Sequence, residues 1–325
     1  MNRNFLRFSP ISLIAIVALT SWASACQGSE PSVIEPCLLT VFVDTTKGAY
    51  PLAYKLDEPD AVFKLPGRLE EVSGLTIGNN GQSLLAVQDE DGKVFIINKK
   101  TGKVDREFKF WKDGDYEGIE TVGHTIYVVK STGTIYKITE KEGEEEPEVI
   151  KYNTFLDGGN DVEGLGYDPV TNQLLLACKA SAGEDDEFEL TKAIYAFDLA
   201  RFELLPAPRY CIKLEDVNEY LDTDPMIRKL EKLNEFFAPG DSEFGFSPSA
   251  LAIHPKTGDI YILSSVGKLL MIISKEGRIQ HIEKLKKSIH EQPEGICFDA
   301  EGNLFISNEG KGGKGRIYRF NVPDQ

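Results

Sequence analysis

The sequence predicts an all-β protein that forms a single five-bladed β-propeller, and three observations predict it. A short phrase recurs five times, short apolar strands follow each copy, and turns rich in Gly, Pro, Asn and Asp separate those strands. Short strands that repeat at a period of about 45 residues are typical of four-stranded propeller blades. The copies are Glu71–Leu75, Asp115–Ile119, Asp161–Leu165, Ser247–Leu251 and Gln292–Ile296, and their third residues are 44, 46, 86 and 45 residues apart.

The interval of 86 residues is better explained by an insertion than by a sixth blade. Residues 163–214 supply four strands, which complete the third blade. Residues 214–237 then have a helical pattern, because apolar residues recur at i, i+4, i+7 and i+11 and Pro225 suits a first helical turn. The sequence therefore predicts a helical insertion near residues 215–237. The apolar residues are Met226, Leu230, Leu233 and Phe237.

The last blade lacks one strand, because only three predicted strands follow Glu294 before the C-terminus. Residues 50–65 lie just before the first copy of the phrase and can supply the missing outer strand. This arrangement joins both ends of the chain in one blade and leaves no sheet edge open. We therefore expect residues 50–325 to form one closed propeller, and we expect a monomer.

The first 25 residues have the pattern of an export signal. Two arginines form a short positive region, and residues 11–19 form an apolar run that is too short to span a bilayer. Small residues follow and end in Ala25, a suitable place for cleavage. The sequence therefore predicts a signal peptide over residues 1–25 and a location in a bacterial cell envelope.

Cys26 leaves two interpretations open. In the first, the chain is cut after Ala25 and released. In the second, Cys26 is lipidated, residues 26–49 form a lipoprotein tether, and the protein is anchored to a membrane on its periplasmic or cell-surface side. Leu usually stands three residues before a lipidated cysteine, whereas this chain has Ala23. We favour lipidation because it gives Cys26 a role.

Composition and cysteine spacing exclude several functions. The chain has 52 acidic and 36 basic residues and a formal net charge of −16, which argues against nucleic acid as a partner and favours attraction of cations. The cysteines after Cys26 lack CxxC spacing, which excludes a zinc ribbon or a thioredoxin-type motif. Cys178 and Cys297 lie in apolar runs and fit buried free thiols, but a disulfide in an exported protein remains open. The sequence does not pair Cys37, Cys178, Cys211 and Cys297.

Acidic residues recur where the first strand of each blade begins, which indicates a site at the central channel. First strands line the channel of a propeller, so equivalent positions form a ring around its axis, and second strands return to the same mouth. Like charges held close together are unfavourable unless a cation, a proton or a lysine compensates them. The third position of the phrase holds Ser73, Glu117, Glu163, Ser249 and Glu294, the position two residues earlier holds Glu71, Asp115, Asp161, Ser247 and Gln292, and the second strands end at Asp89, Ser131, Lys179, Ser265 and Glu309.

Two roles for these carboxylates remain open. Carboxylates mixed with hydroxyls and amides favour a hard cation, Ca²⁺ over zinc, with Lys179 as an internal counter-charge. Alternatively, the Glu-Gly phrase is a folding device, in which the carboxylate accepts backbone N–H bonds between blades and Gly permits close packing. We favour the cation site. The sequence contains no glycine-rich phosphate loop, nucleophile elbow or His-Glu-x-x-His motif.

Several of these motifs resemble those of one family. The stretches EGIETV, EGLGYD, SALAIH and QPEGICFDAEGNLFISNE resemble the SdiA-regulated, YjiK-like proteins of bacterial envelopes over about residues 55–322. The resemblance implies a five-bladed propeller distantly related to NHL repeats, with a calcium site and no established activity. Blade 1 has Ser73 where the other acidic blades have Glu, so the site is expected to be asymmetric and not a full ring of carboxylates. The resemblance implies that the acidic positions of the family's motifs, the metal ligands, correspond to Glu117, Glu163, Glu294 and Glu309. Lys179 and Ser249 also match the family's motifs. Asp161 and Asp89 are further candidates at the channel mouth.

Two functions fit this pattern. In the first, a non-catalytic envelope propeller binds Ca²⁺ at the channel mouth and presents that face to a small molecule or a protein. In the second, a metal-dependent hydrolase, lactonase-like or phytase-like, uses the same central ion to activate water. A hydrolase needs a positioned acid or base, a role open to Lys179 or Asp161, and no His belongs to the channel set. We favour binding over catalysis, and the sequence identifies neither the ligand nor an activity.

Overall fold

Strands joined by tight turns pair with their chain neighbours and form five separate sheets. The computed structural model of the protein describes residues 37–46, 48–183, 188–223, 237 and 244–323. Each sheet is one blade of a propeller, so the predicted all-β, five-bladed fold is confirmed.

The strands are numbered in chain order, and each blade is listed from the channel outward. The N-terminal segment contains β1 (Leu39–Thr40) and β2 (Ala61–Lys64), and a 3₁₀ turn at Gly67–Leu69 follows. Blade 1 comprises β3 (Val72–Ile77), β4 (Ser83–Gln88), β5 (Lys93–Asn98) and β6 (Val104–Lys109), and blade 2 comprises β7 (Tyr116–Val122), β8 (Thr125–Lys130), β9 (Ile135–Thr139) and β10 (Glu148–Tyr152). Blade 3 comprises β11 (Val162–Asp168), β12 (Gln173–Cys178), β13 (Thr191–Asp198), β14 (Glu203–Leu204) and β15 (Tyr210–Lys213). Blade 4 comprises β16 (Pro248–Ile253), β17 (Ile260–Ser264), β18 (Leu269–Ile273) and β19 (Ile279–Lys284), and blade 5 comprises β20 (Pro293–Phe298), β21 (Leu304–Asn308), β22 (Arg316–Phe320) and β2.

The innermost strands, β3, β7, β11, β16 and β20, carry the five copies of the recurring phrase. Each contacts the innermost strand of the next blade, and β20 contacts β3, so the ring is closed. Glycine in the phrase allows this approach: a Cβ added at Gly118 would lie 2.5 Å from Leu165 Cβ, and one at Gly295 would lie 2.7 Å from the backbone oxygen of Ser73. The glycine of the phrase therefore serves blade packing.

Apolar side chains fill the spaces between neighbouring blades. The core consists of five clusters, and each joins the facing sides of two adjacent blades. Phe95 of blade 1 and Phe305 of blade 5 are fully buried in one such cluster. Full burial of a side chain of this size stabilises a fold by roughly 1.5–3 kcal/mol, so the stability of the ring depends on every blade having both neighbours.

The outer strand of blade 5 comes from the N-terminal part of the chain. Strand β2 pairs antiparallel with β22, with Val62 opposite Tyr318 and Phe63 opposite Ile317. Just before β2, Tyr54 and Leu56 are buried in the cluster between blades 4 and 5. The prediction that residues 50–65 close the ring is therefore confirmed.

The predicted helical insertion begins directly after blade 3. Helix α1 (Leu214–Thr223) buries three apolar residues, Leu214, Val217 and Leu221, in the cluster between blades 3 and 4. Phe237, the last residue of the predicted pattern, is buried in the same cluster. The positions between them, Pro225, Met226, Leu230 and Leu233 included, lie outside the described residues.

The N-terminal strap, defined here as residues 37–46, lies along the outer edges of blades 3 and 4. Strand β1 pairs parallel with β15, and an isolated bridge joins Phe42 to Arg278 of blade 4. A disulfide joins Cys37 to Cys211 in β15 and supplies the pairing that the sequence left open. Cys178 and Cys297 are buried free thiols, as expected.

The export signals lie outside the described residues. The signal peptide over residues 1–25 and the lipidation of Cys26 therefore stay predictions. Within the part of the chain that the structure describes, no helix is long and apolar enough to cross a membrane.

Candidate functional site

The third residue of the recurring phrase lies at a β-bulge in every innermost strand. In β11 the pairing passes from Val162 opposite Cys178 to Gly164 opposite Ala177, so Glu163 has no partner across the ladder. A bulge bends the strand and re-aims the extra side chain, which explains why each copy begins a strand yet presents its third residue to the channel. The same irregularity isolates Glu117, Ser249 and Glu294, and in blade 1 it isolates Ser73 and Gly74.

Three of the bulged residues are glutamates that share the channel axis. Glu117, Glu163 and Glu294 line one narrow cavity of about 10 Å³, a space for about one water molecule. Glu163 and Glu294 are buried, with exposed fractions of 7% and 8%. The bulges therefore hold three carboxyl groups in a space with little water to screen them.

Lys179 lies at the end of β12 and forms an ion pair with Glu163 of the same blade. Its Nζ is also 4.0 Å from Oδ2 of Asp161, whose backbone oxygen accepts the Lys179 N–H at 2.8 Å. Asp161 itself has a left-handed φ of 52°, which Asp tolerates better than most residues. The second carboxylate oxygen of Glu163, Oε2, is buried and has no hydrogen-bond partner.

Burial and like charge make these carboxyl groups hard to ionise. Burial is the largest cause that raises the pKa of Glu117, to about 9, and the charges of Glu163 and Asp115 add to it. Burial and the Glu294 charge raise the pKa of Glu163, while Lys179 opposes the shift. Burial alone would lower the Lys179 pKa, but the neighbouring carboxylates, Glu163 first, raise it above its ordinary value.

Further carboxyl groups continue the ring toward blades 5 and 1. Burial, and then the charges of Asp89 and Glu71, raise the pKa of Glu309 to about 7. Burial and Glu71 raise the pKa of Asp89 to about 6, and its Oδ1 is buried without a hydrogen-bond partner. Burial, and then the charge of Glu309, raise the pKa of Glu294, and Lys179 opposes the shift. The charge of Glu117 adds to the shift, so Glu294 is coupled to carboxyl groups of blades 5 and 2.

Two serines at the mouth have other partners. Ser249 Oγ donates to the backbone oxygen of Pro293 at 2.8 Å, which links blade 4 to blade 5. Ser131 Oγ donates to Oδ2 of Asp115 at the end of β8. At this position of the phrase, a hydrogen bond between blades is donated by the Ser249 hydroxyl to a backbone oxygen, whereas the Glu163 carboxylate pairs with a lysine side chain.

The predicted metal ligands share one mouth but do not converge on one point. Across the described residues, no three His, Cys, Asp or Glu side chains lie close enough together to hold a metal ion. Glu117, Glu163 and Glu294 line the axial cavity, whereas Glu309 interacts chiefly with Asp89. The metal site stays a prediction.

Sequence reasoning missed a larger cavity beside the carboxylates, between blades 3 and 4. It has a volume of about 620 Å³ and opens next to Lys179 and Asp161. Phe188 and Phe244 contribute aromatic walls, and Ser247 contributes a hydroxyl. One signal was present in the sequence, because Phe188 interrupts an acidic stretch, residues 184–189, that otherwise fits a solvated loop.

Comparison with known families identifies the chain. The SdiA-regulated family matches residues 54–181 and 244–318, which is more than half of the sequence. The chain belongs to the SdiA-regulated family. The resemblance of its motifs to that family is therefore confirmed, and the gap between the two matched ranges contains the acidic stretch, the outer strands of blade 3 and α1. No curated protein matches the sequence.

Solved structures are similar to this SdiA-regulated protein in fold alone. Glutaminyl cyclase from Myxococcus xanthus is similar with a TM-score of 0.51 and 10% identity, over 82% of this chain and 97% of that one. The PQQ-bound aldose sugar dehydrogenase from Streptomyces coelicolor is similar with a TM-score of 0.46 and 14% identity, over 81% of this chain and 99% of that one. At 10% identity the likeness to glutaminyl cyclase shows a similar fold and nothing further.

Proposed function

We propose that this SdiA-regulated protein is an envelope lipoprotein whose channel mouth binds one divalent cation, Ca²⁺, and presents that mouth to a small molecule or a protein. The observation that carries the proposal is that Glu117, which is partly buried, and Glu163 and Glu294, which are buried, line one axial cavity. Three like charges in so small a space are unfavourable, and a divalent cation relieves them more fully than one ammonium group does.

The donor chemistry at the mouth fits a hard cation. Every candidate ligand is a carboxylate oxygen, the kind of ligand that Ca²⁺ prefers. Oε2 of Glu163 and Oδ1 of Asp89 are buried acceptors without partners, and such orphaned oxygens are uncommon in folded proteins. The proposed ligands are Glu117, Glu163, Glu294 and Glu309, whose side chains would have to draw together around the ion, because they do not converge on one point in this structure.

The ligand would bind in the cavity beside the mouth. At about 620 Å³ the cavity between blades 3 and 4 has the size of a small-molecule site, and Asp161 and Lys179 stand at its boundary with the carboxylate ring. A molecule in this cavity would contact the aromatic rings of Phe188 and Phe244 on one side and the charged mouth on the other.

Hydrolysis at the same site is the second candidate function, and the same cavity is the observation that favours it. The electrostatics of Lys179 argue for binding instead. Its pKa is raised by Glu163 and its neighbours, so the ammonium stays protonated at neutral pH and does not act as a general base. Lys179 would orient or hold an anionic group, and Asp161 would be left as the base of any hydrolase.

Thermal unfolding with and without chelator tests the cation site. Binding to the folded state alone adds about 2.7 kcal/mol of stability at a hundredfold excess of Ca²⁺ over its dissociation constant, so EDTA should lower the melting temperature. Glu163→Gln should remove most of this sensitivity to EDTA. Glu144→Gln is the matched control, because Glu144 is exposed in the loop between β9 and β10 and should keep the sensitivity of the native protein.

The same measurement separates a cation site from a purely structural ring. If Glu163→Gln shifts the melting temperature equally with and without EDTA, no cation is linked to this carboxylate and the proposal is wrong. Isothermal titration of metal-free protein with CaCl₂ should give one binding site. A screen of lactones and phosphoesters with Ca²⁺-loaded protein then decides between binding and hydrolysis.

A further inference from the structure

Two buried histidines contact the segment that closes the ring. This closing segment, defined here as residues 50–65, begins between blades 4 and 5 and continues as β2. Its residues Tyr54 and Leu56 are buried in the cluster between these two blades. His254 lies in the turn after β16 of blade 4, and His290 lies in the connection between β19 and β20. The two histidines therefore meet the closing segment at two separate points.

His290 holds the backbone of the closing segment. Its side chain is fully buried, and its Nε2 donates to the backbone oxygen of Leu56 at 2.9 Å. The rings of Tyr318 and Phe320 pack on the imidazole, with centroids 5.7 and 5.9 Å away. Its Nδ1 is buried and has no hydrogen-bond partner among the described residues. A proton on Nδ1 would create a charged donor without an acceptor in an apolar place, so the closed structure accommodates the neutral form.

His254 holds the hydroxyl of Tyr54, and its hydrogen bonds also require the neutral imidazole. The Tyr54 hydroxyl donates to the backbone oxygen of Gly302 at 2.6 Å, so it accepts from Nε2 of His254 at 3.0 Å. Nδ1 of His254 then accepts the backbone N–H groups of Lys256 and Thr257 at 3.3 and 3.2 Å. A second proton on Nδ1 would point at these two donors and is therefore unfavourable.

Burial lowers the pKa of both histidines. For His254 the charge of Asp259 opposes the effect of burial, and the charge of Lys256 adds to it. For His290 the hydrogen bond to the closing segment opposes it. The Thr257 hydroxyl is 3.3 Å from Nδ1 of His254 and can accept from its charged form, so His290 is the more sensitive of the two. The aromatic rings packed on the imidazoles carry no charge: they are Tyr54, Tyr261 and Phe298 on His254, and Tyr318 and Phe320 on His290.

His281 contacts the same segment but responds to acid in the opposite sense. Its ring stacks on Tyr50 with the centroids 6.1 Å apart, and its Nε2 is 3.0 Å from Oε2 of Glu283. Protonation turns the contact with Glu283 into an ion pair, so acid does not loosen it. The contacts that acid weakens are those of His254 and His290.

We propose that His254 and His290 form a pH-sensitive latch, which holds the closing segment at neutral pH and loosens it as the pH falls below about 6. When the segment opens, both imidazoles reach water and recover the ordinary pKa of 6.5, whereas the closed form keeps them neutral. The open form therefore binds more protons below pH 6.5, and each histidine raises the open population by up to about tenfold per pH unit in that range. Opening separates β2 from β22 and exposes an edge of blade 5.

The carboxyl groups of the channel mouth respond to pH with the opposite sign. The raised pKa values of Glu117 and Glu309 stabilise the folded state as the pH falls. A melting temperature contains both effects, so the latch has to be measured locally.

Hydrogen exchange of the full mature protein in EDTA at pH 7 and pH 5 tests the latch, after correction for the pH dependence of the intrinsic exchange rate. The reporters are the amides of Asp60 and Leu65, which donate to the backbone oxygens of Arg319 and Gly315 at 2.8 Å. Their protection should fall about tenfold or more from pH 7 to pH 5, because one histidine alone can supply that factor. Amides of β8 in blade 2 are remote from the closing segment and should not lose protection.

Variants assign the response to the two imidazoles. His290→Gln keeps an N–H donor for Leu56 and cannot be charged, so the loss of protection in acid should become about threefold smaller or less than that. In His254→Gln/His290→Gln the loss should be about twofold or less. His124→Gln is the matched control, because His124 is exposed in the turn between β7 and β8 and should keep the full response. Each variant is compared with itself at the two pH values, so a general loss of stability does not mask the result.

Three results would overturn the proposal. The first is equal protection of Asp60 and Leu65 at both pH values in the native protein. The second is a response of native size in the double variant, which would assign the titration to other groups. The third is an equal loss of protection in all five blades, which would show that acid unfolds the ring as a whole and that the closing segment does not open separately.

Discussion

Lys179 pairs with Glu163 across the first two strands of blade 3, and the other oxygen of Glu163 has no partner. The lysine follows β12 and the glutamate lies in the bulge of β11, so one hairpin supplies both charges. One ammonium group compensates only part of the charge at the mouth, because Glu117 and Glu294 share the same cavity. Protons or a cation must supply the rest.

Removal of the lysine should destabilise the fold in a manner that depends on pH. Lys179→Met leaves Glu163 buried without a counter-charge. We expect the free energy of unfolding to fall by about 2 kcal/mol at pH 8. This value is smaller than for a fully buried pair, because a third of the Lys179 side chain is exposed to solvent. At pH 5 the loss should shrink, because Glu163 is then protonated in both proteins. Denaturant unfolding at the two pH values measures the difference.

Lys141→Met is the control for that variant. Lys141 pairs with Glu148 on the surface, where the two side chains are 46% and 50% exposed. Exposed ion pairs contribute roughly 0–1 kcal/mol, so this variant should change stability little at either pH. Equal losses from both lysines would contradict the assigned role of Lys179.

The metal-free protein should lose stability as pH rises through the neutral range. The ordinary pKa of a glutamate is 4.5, whereas that of Glu117 is about 9 and that of Glu309 about 7 in the folded protein. Between these values the folded state binds more protons than the unfolded state, so the free energy of unfolding falls with rising pH, by at most about 1.4 kcal/mol per pH unit for each group. Urea unfolding in EDTA from pH 5 to 9 measures the slope.

Two comparisons identify the groups that cause this dependence of stability on pH. Glu117→Gln removes one of the titrating groups and should flatten the curve. Addition of Ca²⁺ should flatten it as well if the cation replaces protons at the mouth. A slope that is unchanged in Glu117→Gln would show that the titrating groups lie elsewhere.

The architecture could be predicted from the sequence because one phrase recurs at blade spacing. The recurrence reflects a physical requirement: each innermost strand needs a bulge and then a small residue, Gly in four blades and Ala250 in blade 4, so that the next blade can approach. The missing strand of blade 5 followed from counting strands. Residues 50–65 were the segment left to fill it, and β2 does so.

The partners of individual side chains could not be predicted in this way. Ser249 occupies the same position in the phrase as Glu163, yet it bonds to the next blade instead of facing the carboxylates. The Cys37–Cys211 disulfide spans 174 residues and depends on where the strap docks, which no local pattern encodes.

Deletion of the closing strand should unfold the protein. A mature chain without residues 27–66 loses β2 and its ladder with β22, and it also loses Tyr54 and Leu56 from the cluster between blades 4 and 5. An open edge would remain on blade 5. Circular dichroism and size-exclusion chromatography should show a loss of cooperative melting or aggregation, and native-like melting would contradict closure by this strand.

Lipidation of Cys26 predicts a specific change of location. Acylation needs the thiol, whereas ordinary cleavage after Ala25 does not. Cys26→Ser should therefore move the protein from the membrane fraction to the soluble periplasmic fraction of the cell. Cys297→Ser, which removes a buried thiol far along the chain, is the control and should leave the distribution unchanged.

The disulfide should stabilise the strap and the ring together. Cys37 lies in the N-terminal strap and Cys211 in β15, so the bond ties a peripheral segment to the outer edge of blade 3. Closure of a loop this long lowers the entropy of the unfolded chain, and its loss should cost about 2–4 kcal/mol if strap and ring unfold together. If the strap detaches alone, Cys37→Ser should leave the melting temperature of the ring nearly unchanged.

Hydrogen exchange distinguishes joint unfolding from detachment of the strap alone, because Val41 is fully buried and its amide donates to the backbone oxygen of Cys211 at 2.8 Å. We expect a lower melting temperature together with faster exchange at Val41, since Val41 belongs to the cluster that also holds β15 and blade 4. Fast exchange at Val41 with an unchanged melting temperature would show instead that the strap is an independent unit.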